Sequence, residues 1–330
     1  MVKDATLTID RAEGTSAGQP ASGNPSAVVY SIDSSYLDRI EALKGRGFSD
    51  AETAESGHLV QRITESHLEP YLSIIEGRGK DYPPSVKAAH DLLTFDRRFQ
   101  SVLFKYMGVL EMQMRAQYSH WMEKAHGAFS LYDSTQFLRE DNHLKSLKHL
   151  DDEILRKVRR SRGLKRVYEQ SGNRLPIAKA VECATLGTLV QLFSNTKDAD
   201  VTSRVCESFA CRKSELSSWM KTLTDVRNIC AHFDCYAARK QIPSTPRRIR
   251  GLDGADNTKT SYIVLVILRL IASNAPFKDR NLDYAFRMMT DMRALTADYG
   301  GMYRDLLRII GFPDDWDDCM MTASRLGAER

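Results

Sequence analysis

No apolar run in this sequence is long enough to cross a bilayer. The longest, Tyr262 to Ala272, contains Arg269 and has about half of the roughly 20 residues that a spanning helix needs. A helical membrane protein is therefore excluded, and the run reads as a core helix. Alternating apolar and polar residues of the kind that build sheets are missing, and so is any repeat at solenoid periods. Charge of one sign is also scarce: 47 Lys and Arg against 43 Asp and Glu leave +4, too small a surplus to imply a polyanionic partner by itself. The six cysteines include no CxxC pair, which excludes the tight spacing of most structural zinc sites. Two C-x4-C pairs, Cys206/Cys211 and Cys230/Cys235, are expected to be buried thiols on helices. A polar N-terminal stretch without a signal pattern, together with this cysteine usage, points to a reducing cytoplasm.

What is present is an ordinary globular mixture, 42% apolar and 27% charged over 330 residues, enough for a substantial core. Residues 1–33 are rich in Gly, Ser, Ala and Pro without an apolar period, so they are expected to be an unstructured tail. From Tyr36 the spacing turns helical (Tyr36, Leu37, Ile40, Leu43) until Gly45 and Gly47 interrupt it. The longest periodic segment runs from Phe95 to Ala125. Phe95, Phe99, Leu103, Tyr106, Met107, Leu110, Met114, Tyr118 and Trp121 form one apolar stripe on it, which predicts a long, largely buried helix. Further helical patterns cover 176–195, 201–210, 213–238, 258–274, 280–298 and 301–310. The fold class is all-α: one helical domain over 34–330, with a bundle core at about 90–240 and C-terminal helices over 258–325.

Local charge departs from the average in two places. Residues 145–174 hold ten Lys and Arg, among them Arg156, Lys157, Arg159 and Arg160, against four acidic residues. Residues 240–260 form a Pro-bearing connector that carries Arg247, Arg248 and Arg250. Such cations could attract an RNA backbone, or they could simply solvate a helix face and a loop.

The residues that could carry chemistry lie in 216–233, where Arg227-Asn228 and His232 form an R-x4-H arrangement. The pattern alone is weak: with spacers of four to six allowed, about two Arg/His matches are expected by chance in this composition, and Arg62/His67 and Arg115/His120 also fit R-x4-H. Arg227/His232 differs in context, with an Asn directly after the Arg, a preceding amphipathic helix (Trp219, Leu223, Val226) and the basic connector downstream. An imidazole titrates near neutral pH and can move protons, while a guanidinium fork holds phosphate oxygens. On RNA these two suffice without a metal or cofactor, because the 2′-hydroxyl supplies the nucleophile. The products would be a 2′,3′-cyclic phosphate and a 5′-hydroxyl, and DNA could not react. The alternative is structural: a surface or cap histidine, and an arginine paired with Asp225 or another carboxylate.

Positions five apart on a regular helix point about 140° from each other. Arg227 and His232 therefore converge only if the helix deforms or a second chain completes the site across a two-fold axis, and a homodimer is the favoured reading. Asn228, four residues before His232, lies on the imidazole's face and could orient it.

Several blocks, taken in order, resemble the Abi family of abortive-infection proteins from about Tyr36 to Cys319. YLDRIEALKGRGF and HLEPYL are similar to its first helices. FDRRFQSVLFKYMGVLEMQMRAQYSHW is similar to its FDxxLR…IExxIR block, with Glu111 and Arg115 at the acidic and basic positions. RLPIAKAVECATLGTLVQLFSN follows, with Ala178 where the family usually has Trp. LSSWMKTLTDVRNICAHFDCYAAR is similar to the signature stretch, with Phe233 where a second His is common, and GFPDDW resembles the closing element. The resemblance, to the AbiD/AbiF type, implies a HEPN-like helical bundle and a phage-defence endoribonuclease whose centre is Arg227, Asn228 and His232. It implies RNA as the substrate; an antitoxin or a phage-derived trigger stands as a candidate further partner that the sequence itself does not show. Glu111 and Arg115 would either line that cleft or pair with each other. The contrasting expectation is a non-catalytic RNA-binding or regulatory module.

Overall fold

The computed structural model describes residues 36–78, 84–238, 243–252, 262–272, 284–299, 303–309, 311–312 and 314–328. The expected tail lies outside them, as do parts of the 240–260 connector. Fourteen α-helices and no strand occur among the described residues, apart from one isolated antiparallel bridge, Phe137 to Thr196. The all-α expectation holds. The chain falls into two compact units, Met1–Asp96 and Arg97–Arg330.

The first unit contains α1 (Leu37–Gly45), α2 (Ala54–Arg62), α3 (Glu65–Glu76) and the opening turns of α4 (Val86–His126). The chain leaves α1 through Gly47, whose φ of +90° only a glycine adopts without strain. Thr53 caps α2 by accepting the Ser56 N–H at 3.2 Å. Asp50 does the same for α4, accepting the N–H groups of Val86 (2.7 Å) and Lys87 (3.0 Å). Inside this unit Tyr71 donates to Asp96 at 2.7 Å, and Arg46 forks onto Glu69 and Glu76.

In the second unit the rest of α4 carries the predicted stripe. Phe99, Leu103, Tyr106, Met107, Leu110, Met114 and Tyr118 are all fully buried, as is Phe95 in the first unit. At the end of the stripe Met122, not Trp121, fills the core. Around α4 follow α5 (Glu140–Val158), α6 (Arg162–Gln170), α7 (Ile177–Cys183), α8 (Leu186–Asn195), α9 (Ala199–Glu207) and α10 (Lys213–Ala231). The segment expected as one helix over 176–195 is two. Thr185 takes an extended backbone and its hydroxyl accepts the Thr188 N–H at 3.1 Å, so it starts α8 where periodicity alone would run on. The helix expected over 213–238 stops at Ala231. Cys206 and Cys230 are buried on α9 and α10, but Cys211 and Cys235 lie beyond the ends of those helices, half-buried, which corrects the expectation that all four sit on helices.

The C-terminal helices are α11 (Tyr262–Ala272), α12 (Tyr284–Ala297), α13 (Tyr303–Ile309) and α14 (Trp316–Ala328). Tyr262 to Ile271 are buried without exception. Arg269 belongs to that run because its guanidinium donates to the Ala210 carbonyl at 2.8 Å, so the buried charge has a partner. Here α14 crosses α11 closely: a Cβ added to Gly327 would lie 2.6 Å from the Ala272 Cβ and 2.7 Å from the Arg269 carbonyl oxygen.

Candidate functional site

The end of α10 meets a polar row on α4. Arg97, Gln100, Phe104, Glu111 and Arg115 fall within about 60° of one another at 100° per residue, beside the apolar stripe. Each has business with the motif or its support. Glu111 pairs with Arg115 one turn on, and its other oxygen lies 3.9 Å from Arg227 Nε. Arg115, only 11% exposed at its side chain, also donates to the carbonyls of Val181 and Ala184, the latter at 2.9 Å. Those two carbonyls lie at the C-terminal end of α7, just before α8 begins, so Arg115 ties that corner to α4.

Two guanidinium groups thus flank one carboxylate, and the cluster keeps a net positive charge. The distance from Glu111 to Arg227 Nε is too long for a hydrogen bond. Arg227 Nε is buried and finds no acceptor, which is uncommon for a buried donor and calls for an explanation. The rest of the guanidinium lies over the Phe104 ring at 5.8 Å and donates weakly to Asn228 Oδ1 at 3.5 Å. The carboxylate beside Arg227 is therefore Glu111. Asp225, the other candidate, accepts from the Ser244 hydroxyl instead.

His232 is the C-cap of α10, its N–H donating to the Asn228 carbonyl at 3.0 Å. The next two residues complete a Schellman stop: Phe233 N–H bonds to Cys230 O at 3.4 Å and Asp234 N–H to Ile229 O at 3.1 Å. Such a stop needs a left-handed residue, usually glycine, and here it is Phe233 with φ +57°. The Asp234 carbonyl is then gripped from α4 by Gln100 at 2.9 Å and Arg97 at 3.4 Å, with the Arg97 guanidinium over the exposed Phe233 ring. The imidazole of His232 is exposed. Asn228 meets it through the backbone, while its amide faces Arg227. Arg227 and His232 leave α10 in different directions, as helical geometry requires, and no hydrogen bond joins them.

The other sequence candidates are spread out. Arg156 is paired with Glu153, and Lys157 donates to the Glu182 carbonyl, whereas Arg159 and Arg160 are exposed past the end of α5. The 243–252 part of the connector is strapped along α10. Trp219 Nε1 donates to the Arg247 carbonyl at 2.6 Å, the Arg247 N–H to Ser218 at 3.0 Å, and Thr222 to the Ser244 carbonyl at 3.2 Å. Arg250 lies 3.6 Å from Glu215, and the Arg247 and Arg248 side chains face solvent. Arg62 ends α2 while His67 lies in the first turn of α3, and Arg115 and His120 both sit inside α4, so neither alternative pair shares the C-terminal end of one helix. Arg97, Gln100 and Phe104 were not singled out from the sequence. Their i, i+3, i+7 spacing beside the apolar stripe is the signal that could have found them.

These observations define an all-helical protein with a cationic seam between two helices and an exposed histidine at its end. The sequence model of Abi-like proteins matches residues 58–235, more than half of the chain, and the chain belongs to the Abi-like protein family. The match runs from α2 to just past α10 and so includes Glu111, Arg115, Arg227, Asn228 and His232. Membership associates the chain with abortive infection, a phage-defence response. No curated protein and no solved structure matches it. Among the described residues no helix is long and apolar enough to cross a membrane.

Proposed function

We propose that this Abi-like protein is an abortive-infection endoribonuclease of the HEPN type that cuts RNA by attack of the substrate's own 2′-hydroxyl. The observation that carries the reading is the occurrence, at one end of α10, of an exposed, unengaged imidazole and an arginine whose Nε has no acceptor. His232 takes the proton from the 2′-hydroxyl, or gives one to the leaving 5′-oxygen. The 2′-oxygen forms its bond to phosphorus as the bond to the 5′-oxygen breaks, leaving a 2′,3′-cyclic phosphate and a 5′-hydroxyl. Arg227 holds the non-bridging oxygens as their charge grows. Glu111 steadies Arg227 from behind and is itself anchored by Arg115; both are positioning residues, as is Asn228.

Because the two side chains diverge, we assign the complete site to a homodimer in which a second copy's motif faces the first across a two-fold axis. An antitoxin or a phage-derived trigger would act by opening or covering that face. The Arg227–Glu111 pairing and the capping role of His232 also suit a non-catalytic RNA-binding or regulatory module, and one assay separates the two. RNA is incubated with the wild-type chain in EDTA, beside Arg227→Ala and His232→Ala. Cleavage by the wild type alone, with cyclic-phosphate ends and loss of cutting when the 2′-hydroxyl at the cut site is replaced by hydrogen, supports the enzyme. RNA binding without cutting in any of the three identifies the module.

A further inference from the structure

A cleft of about 1080 Å³ opens between α5, α8, α10 and the 243–245 strap. It is at the upper end of the size range of small-molecule sites. Three cations line it: Arg139 before α5, Lys145 on α5 and Lys221 on α10. None of the three side chains makes an ion pair among the described residues. The one acidic residue in the lining, Asp225, is occupied by the Ser244 hydroxyl. Most of the remaining lining residues carry a hydroxyl or an amide, although their carbon atoms make up more of the wall than their polar atoms do, and Leu138 is exposed among them. Among the described residues no aromatic ring lines the cleft.

The walls are fixed. Asn195 clamps the Arg139 backbone from both sides, accepting its N–H at 3.0 Å and donating to its carbonyl at 2.9 Å. Ser146 and Gln191 join α5 to α8 at 3.3 Å, and Thr222 and Asp225 hold Ser244. On α10, Ser217, Lys221, Thr224 and Asp225 form one row, and at 100° per residue Asn228 continues it and His232 follows one turn later. Arg227 points about 110° off the middle of that row.

From this geometry we infer that the cleft binds the ribose-phosphate backbone of single-stranded RNA and leads it along α10 to His232. Three unpaired cations around a preformed cleft favour a polyanion, and the dense hydroxyls and amides suit ribose 2′-hydroxyls and phosphate oxygens. The lack of stacking rings makes recognition of the backbone, not the bases, the dominant contribution. The inference rests on the ribonuclease reading for its direction toward His232, but the binding site itself is separable from it.

The test measures binding of a short fluorescein-labelled single-stranded oligoribonucleotide by fluorescence anisotropy. The protein is the full-length chain carrying His232→Ala, so that the probe stays intact. Adding Arg139→Ala, Lys145→Ala and Lys221→Ala is expected to weaken binding roughly tenfold or more at 0.1 M salt. The slope of log Kd against log salt should fall by about 2, from three contacts of about 0.7 each on a single strand. Lys145→Arg with Lys221→Arg should bind like the parent, and Lys221→Glu alone, an exposed change, should weaken binding in the same direction. Unchanged affinity and slope in the triple variant, with a native circular dichroism spectrum, overturns the inference. So does displacement of the probe by AMP at concentrations as low as the probe's own Kd, which would make the cleft a free-nucleotide site. If the wild type binds but never cuts, and the triple variant loses binding, the ribonuclease reading fails while the cleft stands.

Discussion

Replacing Arg115 with alanine tests the support beneath the candidate site most directly. The side chains of Arg115 and Glu111 are 11% and 16% exposed, so the pair is largely out of water. Removing the guanidinium leaves a buried carboxylate and strips a donor from the Val181 and Ala184 carbonyls. Breaking such a pair from one side costs about 3–5 kcal/mol. Arg227, 3.9 Å away, still offsets part of the stranded charge, which places the expected loss near the lower end, about 3 kcal/mol. With a urea m-value of about 2 kcal/mol/M, the unfolding midpoint should drop by roughly 1.5 M. Tryptophan fluorescence is a suitable probe because Trp121, Trp219 and Trp316 all belong to the Arg97–Arg330 unit. Glu111→Leu with Arg115→Met should recover more than half of the loss, since no charge is then left stranded. A midpoint shift below about 0.3 M for Arg115→Ala, or a double variant less stable than the single one, would refute this account of the pair.

Two further outcomes follow from packing and burial. Gly327→Ala should lower thermal stability by about 1–3 kcal/mol through overpacking, because its Cβ would meet the Arg269 carbonyl oxygen and the Ala272 Cβ inside 3 Å; an unchanged melting temperature would mean that α14 does not cross α11 there. Burial pushes the Cys206 thiol up to about 11 and also raises Cys183, so at pH 8 only about one part in a thousand of Cys206 is thiolate. Iodoacetamide at pH 8 should therefore label Cys211 and Cys235 first, with Cys206 gaining reactivity only as the pH climbs toward 11, as peptide mapping would reveal.

Periodicity carried much of the architecture because α4, α11 and α12 are long or apolar enough for their buried faces to dominate the pattern. Where it misled, a local backbone choice had overridden it. Thr185 cuts 176–195 in two by capping, and α10 ends seven residues early because Phe233 turns left-handed, a conformation that a bulky side chain does not announce. The R-x4-H spacing pointed to the C-terminal end of α10, and the resemblance picked Glu111 and Arg115 from a helix more than a hundred residues away. Neither could foresee that Glu111 would stand between the two arginines. That contact joins residues far apart in the chain and depends on how α4 and α10 pack. Lys145 was noted only as part of a basic stretch, and Arg139 and Lys221 not at all, because their common cleft exists only once α5, α8 and α10 are assembled.

The grip of Gln100 and Arg97 on the Asp234 carbonyl fixes where α10 unwinds. Were α10 to wind one turn further, that carbonyl would be drawn into the helix and its two donors on α4 left without their acceptor. The aim of the imidazole is thus set by a latch that lies outside its own helix, and a ligand or protein that pulled on this part of α4 would redirect His232 without touching it.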